Sequence, residues 1–157
     1  MPWMLLASAA VVLAAVPGIA AAGAGTGGDT SDDAQIVADA KRAERAYDAA
    51  WNDRRWDEIR LLYAEDALLL LPNHEPIEGR DKIVDHLKSS RDVFGEIDEH
   101  STWLRVKGSG NLATLAGELT TRSGRLRITY SDLWERHPDG SVVIAVSAVG
   151  LPQRPVG

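Results

Sequence analysis

The apolar positions of this chain change their period once, near Phe94, dividing the sequence into a helical half and a strand half. Ile36, Ala40, Ala43, Tyr47 and Trp51 recur at helical spacing and mark one apolar face, with Asp39, Lys41, Arg42 and Asp48 mostly away from it. Asp29, Ser31, Asp32 and Asp33 crowd the start of this helix, where acids complement the exposed N–H groups. A second helix is predicted over about Trp56 to Tyr63, burying Ile59, Leu62 and Tyr63. A third is predicted from about Arg80 to Arg91, with Ile83, Val84 and Leu87 inward and Glu78-Gly79 marking its start. Between these two helices lie an acidic corner, a short apolar strand from Leu68 to Leu71 and a Pro-bounded turn.

Beyond Phe94, three turn signals fall at nearly even spacing: Lys107 to Asn111, Arg122 to Arg125 and His137 to Ser141. They predict four long strands, near 100–107, 111–122, 125–137 and 141–150. Helices first and a meander after is an α+β plan, with three N-terminal helices packed on one face of a curved antiparallel sheet. Alternation sends Leu115, Leu119, Ile128, Tyr130 and Trp134 toward the helices. The other face is moderately polar, with Thr114, Glu118, Thr120, Arg127, Thr129 and Glu135 on it.

Composition adds the compartment. The 157 residues suffice for one domain. The first 28 carry no charge, and Met4 to Val16 is an apolar run closed by Pro17-Gly18. Ala20-Ala21-Ala22 then offers a small-residue cleavage site. The sequence thus predicts a secretory signal peptide over 1–22, a flexible linker over 23–32, a domain over 33–151 and a tail over 152–157. The missing Lys/Arg n-region keeps an N-terminal membrane anchor, Trp3 to Ala22, as the alternative to a secreted or extracytoplasmic protein. No cysteine is present, so stability rests on packing without disulfides. A net charge of −6 without a basic cluster argues against nucleic acid and, once the leader is removed, against a membrane surface.

One residue breaks the strand pattern. Leu126, Ile128, Tyr130, Asp132 and Trp134 share a face, so Asp132 stands in the middle of a core-facing apolar stripe. Desolvation raises the pKa of an unpaired carboxylate there, and a neutral acid can donate a hydrogen bond. The alternative is an Asp132 paired with an Arg or a backbone N–H that merely orders the sheet. The histidines at 74, 86, 100 and 137 form no ligand spacing, so no metal and no cofactor is predicted.

The run Trp56-Asp57 to Ile59, Leu62-Tyr63-Ala64-Glu65-Asp66-Ala67, then Pro76-Ile77 and Gly79-Arg80 to Ile83 resembles the signature of the SnoaL-like branch of the nuclear-transport-factor-2-like superfamily. That resemblance implies a cystatin-like α+β cone around an apolar pocket, on a fold that hosts isomerases, cyclases, dehydratases and binding modules. Ketosteroid isomerases share the superfamily, and their oxyanion hole pairs a first-helix tyrosine with a protonated strand aspartic acid. Tyr47 and Asp132 match those two positions, although Tyr47 alone also fits a packed core aromatic. The isomerase base is an aspartate just before the proline ending the first strand, and here that residue is Leu71, before Pro72. The family's histidine near the end of the last strand is missing as well.

His74, in the loop that this fold puts at the pocket mouth, is the best substitute proton carrier, with His86 as second candidate. Trp51, Tyr63, Leu71, Trp103, Tyr130 and Trp134 complete the residues expected around a flat apolar ligand, with core packing as the alternative. The leading expectation is an exported, homodimeric module binding a small hydrophobic molecule. An isomerase, cyclase or dehydratase acting on a polyketide-like or other small carbonyl compound is the alternative, motivated by Tyr47 and Asp132. A protein-interaction domain is a third, and the polar outer sheet face speaks against it.

Overall fold

The computed structural model describes residues 30–98, 102–124 and 126–153. The predicted leader, most of the linker, His100 and the end of the tail lie outside the described residues. The first helix, α1 (Thr30–Asn52), buries Ile36, Ala40, Glu44, Asp48, Ala50 and Trp51. Two of these are acids. Spaced by four, Ile36, Ala40, Glu44 and Asp48 form one row along the helix, so Asp48 faces inward rather than away as the sequence suggested.

A short helix, α2 (Trp56–Leu61), follows and buries Ile59. It ends earlier than expected, and Tyr63 opens a strand, β1 (Tyr63–Leu70), instead of closing a helix. The acidic corner of the sequence is an irregularity within that strand: Tyr63 pairs with Ile144 but Leu68 with Val146, so the intervening β1 residues bulge. Glu65 and Asp66 are both exposed there, which strict alternation would forbid. A two-residue strand, β2 (Ile77–Glu78), pairs with Leu68 and Leu69 where only a turn was expected. Gly79, at φ 89°, then caps α3 (Arg80–Phe94) and donates its N–H to the Ala67 carbonyl at 2.8 Å. A side chain is strained at that φ, which gives the glycine before Arg80 a backbone reason.

The four long strands are β3 (Thr102–Ser109), β4 (Leu112–Thr120), β5 (Arg127–Arg136) and β6 (Val142–Val149). Together the strands form one six-stranded sheet in the order β2-β1-β6-β5-β4-β3. The pairing of β1 with β6 is parallel, so the sheet is mixed and not wholly antiparallel. Helix α1 packs across β3, β4 and β6, and α3 packs on β1. Ile128, Tyr130, Asp132 and Trp134 are all buried while Thr129 and Ser131 are exposed, so β5 has the register that alternation gave it. Trp134, Leu115, Ile144, Ile36 and Ile83 are among the bulkiest fully buried side chains, which sets the core between α1, α3 and the sheet.

Candidate functional site

Two adjoining compartments open between α1 and the sheet, and Tyr47, Leu119 and Val149 line both. The first has a volume of about 60 Å³. Helical spacing puts Glu44, Tyr47 and Asp48 of α1 on one side of it. Tyr63 from β1, Tyr130, Asp132 and Trp134 from β5, and Ser147 from β6 close the rest. The second, about 110 Å³, is apolar, with Trp51, Leu69, Leu71, Leu87, Phe94 and Ile128 among its walls.

Asp132 lies opposite Ser147 in the β5–β6 register. Burial raises its carboxyl to about 7, against a hydrogen bond from Ser147 that lowers it and with Glu44 and Asp48 adding to the rise. Its Oδ1 has no hydrogen-bond partner, and neither has Trp134 Nε1. Burial also raises Glu44, although Tyr130, Trp103 and the nearby Arg45 and Lys41 oppose it. The Tyr130 hydroxyl lies beside Glu44 without completing a well-formed hydrogen bond. Tyr47 is pushed up by burial, in spite of a hydrogen bond that it accepts from Tyr63, and stays a neutral donor across the ordinary pH range. The arrangement can therefore hold protons on Asp132 and Tyr47 while keeping negative charge close by.

The aromatic row behind the site is built from α1. Tyr47 stacks on Trp51 with centroids 6.4 Å apart and meets Tyr63 edge-on at 6.2 Å. Trp51 donates its Nε1–H to the Gly95 carbonyl at 2.9 Å, which ties the helix to the end of α3. Arg91, itself buried, donates to the carbonyls of Trp51 and Asn52 at 3.1 and 3.3 Å. The Trp51 carbonyl also accepts from the Arg54 N–H at 3.2 Å, so the guanidinium adds a second donor there and supplies Asn52, one of the last carbonyls of α1 that the helix itself leaves open.

The structure thus brings together Tyr47, Asp132, Tyr63, Tyr130 and Trp134 in the first compartment, and Trp51, Leu71 and His86 in the second. Two expected residues stand elsewhere. His74 is exposed, lines neither compartment, and its Nδ1 lies 2.7 Å from the Glu75 carbonyl. It reaches the site only through His86, whose ring is 5.5 Å away and whose pKa burial and His74 depress. The loop carrying it, Pro72 to Pro76, is exposed throughout, so nothing folds His74 inward. Trp103 lies behind the site: its Nε1–H donates to the Glu44 carboxylate while Lys41 and Arg45 sit over its ring at 4.6 and 5.1 Å. Glu44, Asp48 and Ser147 were missed by sequence reasoning. The four-residue spacing from Ile36 was the one signal that could have found the two acids.

The model of the SnoaL-like domain family matches residues 43–145, which include the whole site except Ser147 and Val149. Among solved structures, a nuclear-transport-factor-2-like protein of unknown function from Pseudomonas putida superposes with a TM-score of 0.62 at 15% identity, over 76% of this chain and 88% of its own. A cystatin-like fold protein from Burkholderia xenovorans gives 0.56 at 19% identity, over 77% and 95%. A protein of unknown function from Pectobacterium atrosepticum gives 0.62 at 17% identity, over 77% and 95%. No curated protein matches the chain. Identities this low carry the fold and leave the chemistry to the residues. By the family model, which spans most of its length, the chain belongs to the SnoaL-like domain family.

Proposed function

We propose that this domain binds one small, mostly apolar molecule whose body fills the Trp51–Leu71 compartment and whose polar end reaches Tyr47 and Asp132. The observation that carries the reading is the wall shared by the two compartments: Tyr47 touches both, so a single ligand can span them. Leu71 lines the apolar compartment where the isomerases of this superfamily keep a base, which favours binding over proton abstraction at that position. Export after removal of residues 1–22 and assembly as a homodimer belong to the same proposal.

A second reading has one observation in its favour. Asp132 and Tyr47 share the polar compartment as two donors, the layout a cyclase, isomerase or dehydratase of small carbonyl compounds would use. Leu87→Trp, which fills the apolar compartment from α3, tests the binding reading. It should abolish the quenching of Trp51 fluorescence by a small aromatic ligand and leave the far-UV spectrum intact. Unchanged quenching would remove the compartment from the proposal.

A further inference from the structure

Three buried side-chain atoms of the described residues have no hydrogen-bond partner: Tyr130 Oη, Asp132 Oδ1 and Trp134 Nε1. They come from alternate positions of β5, which share one face, and all three residues line the polar compartment. The other acids around it are occupied. Glu44 accepts from Trp103 Nε1–H, with Lys41 and Arg45 over the same ring, and Asp48 has an interaction of its own. Tyr130 can turn its hydroxyl toward Glu44 beside it. What is left is a pair: the Asp132 carboxyl, 8% exposed, and the Trp134 indole, fully buried. An indole N–H can only donate, and an ionised carboxyl can only accept. Two groups of opposite sense on one wall therefore call for a partner that both accepts and donates.

We propose, resting on the binding reading above, that the polar end of the ligand is an uncharged hydroxyl, which accepts from Trp134 Nε1–H and donates to Asp132 Oδ1 while the apolar body lies beyond Tyr47. A compartment of about 60 Å³ has room for such an end and not for the body. An ammonium could pair with Asp132 but would bring its N–H groups against the Trp134 N–H. A carboxylate could accept from Trp134 but would face Asp132 and Glu44. A ketone accepts from Trp134 and finds a donor in Asp132 only while that carboxyl keeps its proton. A hydroxyl suits the carboxyl in both states, donating to it when ionised and accepting from it when neutral. Trp134 is thereby a specificity-determining contact as well as a core ring.

Calorimetry of the full chain with 4-phenylbutan-2-ol, 4-phenylbutan-2-one and protonated 4-phenylbutan-2-amine, three probes of one shape, tests this. At pH 8, above the value of about 7 to which burial raises Asp132, the alcohol should bind tighter than the ketone by roughly tenfold or more. At pH 6 the ketone should gain, because a neutral Asp132 can donate to it. The ammonium should bind more weakly than the alcohol at both values. The titratable groups facing Asp132 are Glu44, Tyr47 and Asp48 from α1, Tyr63 from β1 and Tyr130 on its own strand, and the tyrosines stay neutral in this window. Asp132→Asn, whose amide can donate at any pH, should raise the ketone toward the alcohol at pH 8 and abolish the pH dependence of their ratio. Trp134→Phe should weaken alcohol and ketone alike. The wild-type ratio at pH 8 decides the matter without any variant. Ketone or ammonium binding there as tightly as the alcohol overturns the hydroxyl and leaves the binding reading standing. Failure of all three probes overturns both.

Discussion

Asp132 carries a charge that folding opposes. Its folded carboxyl is raised to about 7 from an ordinary value of 3.8, so between those values the native state holds a proton the unfolded chain has lost. Stability from this group is therefore intact below pH 4, falls as pH rises toward 7 and is flat above. Asp132→Asn should remove that slope and stabilise the protein at pH 8 by an amount on the order of a few kcal/mol, read from urea denaturation at pH 5 and pH 8. A variant with the wild-type slope would mean that the carboxyl is solvated. Gly117 on β4 is a second point of this scale: a Cβ there would lie 2.6 Å from the Thr102 carbonyl and 2.8 Å from the Tyr130 hydroxyl. Gly117→Ala should displace the Tyr130 ring, cost about 1–3 kcal/mol in urea denaturation and weaken ligand binding together with stability. Asp132 was legible in the sequence because a period of two leaves no ambiguity about its face. Glu44 and Asp48 were not, because apolar residues at 43, 47 and 51 already described a helix face, and charged neighbours at 41, 42 and 45 made the acids read as its solvated flank.

At the scale of elements, the end of α1 depends on α3. Arg91→Met should leave the Asn52 carbonyl unsatisfied, take one of two donors from the Trp51 carbonyl and cost about 1–3 kcal/mol by urea denaturation, with Trp51 emission shifting as its ring loosens. Arg54→Ala, which breaks an exposed pair with Asp92 at 2.6 Å, should leave stability essentially unchanged and serves as the control. Most element boundaries followed from period and turn chemistry, as the four long strands illustrate. The failures cluster between Leu62 and Gly79. There a helix runs directly into a strand with Leu62 as its cap, a bulge hides the alternation of β1, and β2 is only two residues long. Local pattern cannot resolve features shorter than its own period, and the pairing of β1 with β6 is set by contacts about eighty residues away along the chain.

For the molecule as a whole, the proposed export leader makes a direct prediction: material from the native host should begin near Gly23 by N-terminal sequencing, and an intact Met1 on soluble cytoplasmic protein would overturn it. The sheet order has a consequence for synthesis. The last strand among the described residues, β6, is central, and it joins the β2–β1 pair to the β5–β4–β3 meander. Until Val149 has left the ribosome, one fragment carries an exposed apolar strand and the other an unpaired edge, so neither half can finish alone. Folding of the sheet is thereby postponed until β6 has been made, however early the helices form. A chain stopped at Asp139 should accordingly be degraded or aggregate, whereas removal of Gln153 onward, which spares β6, should still give a cooperative thermal transition.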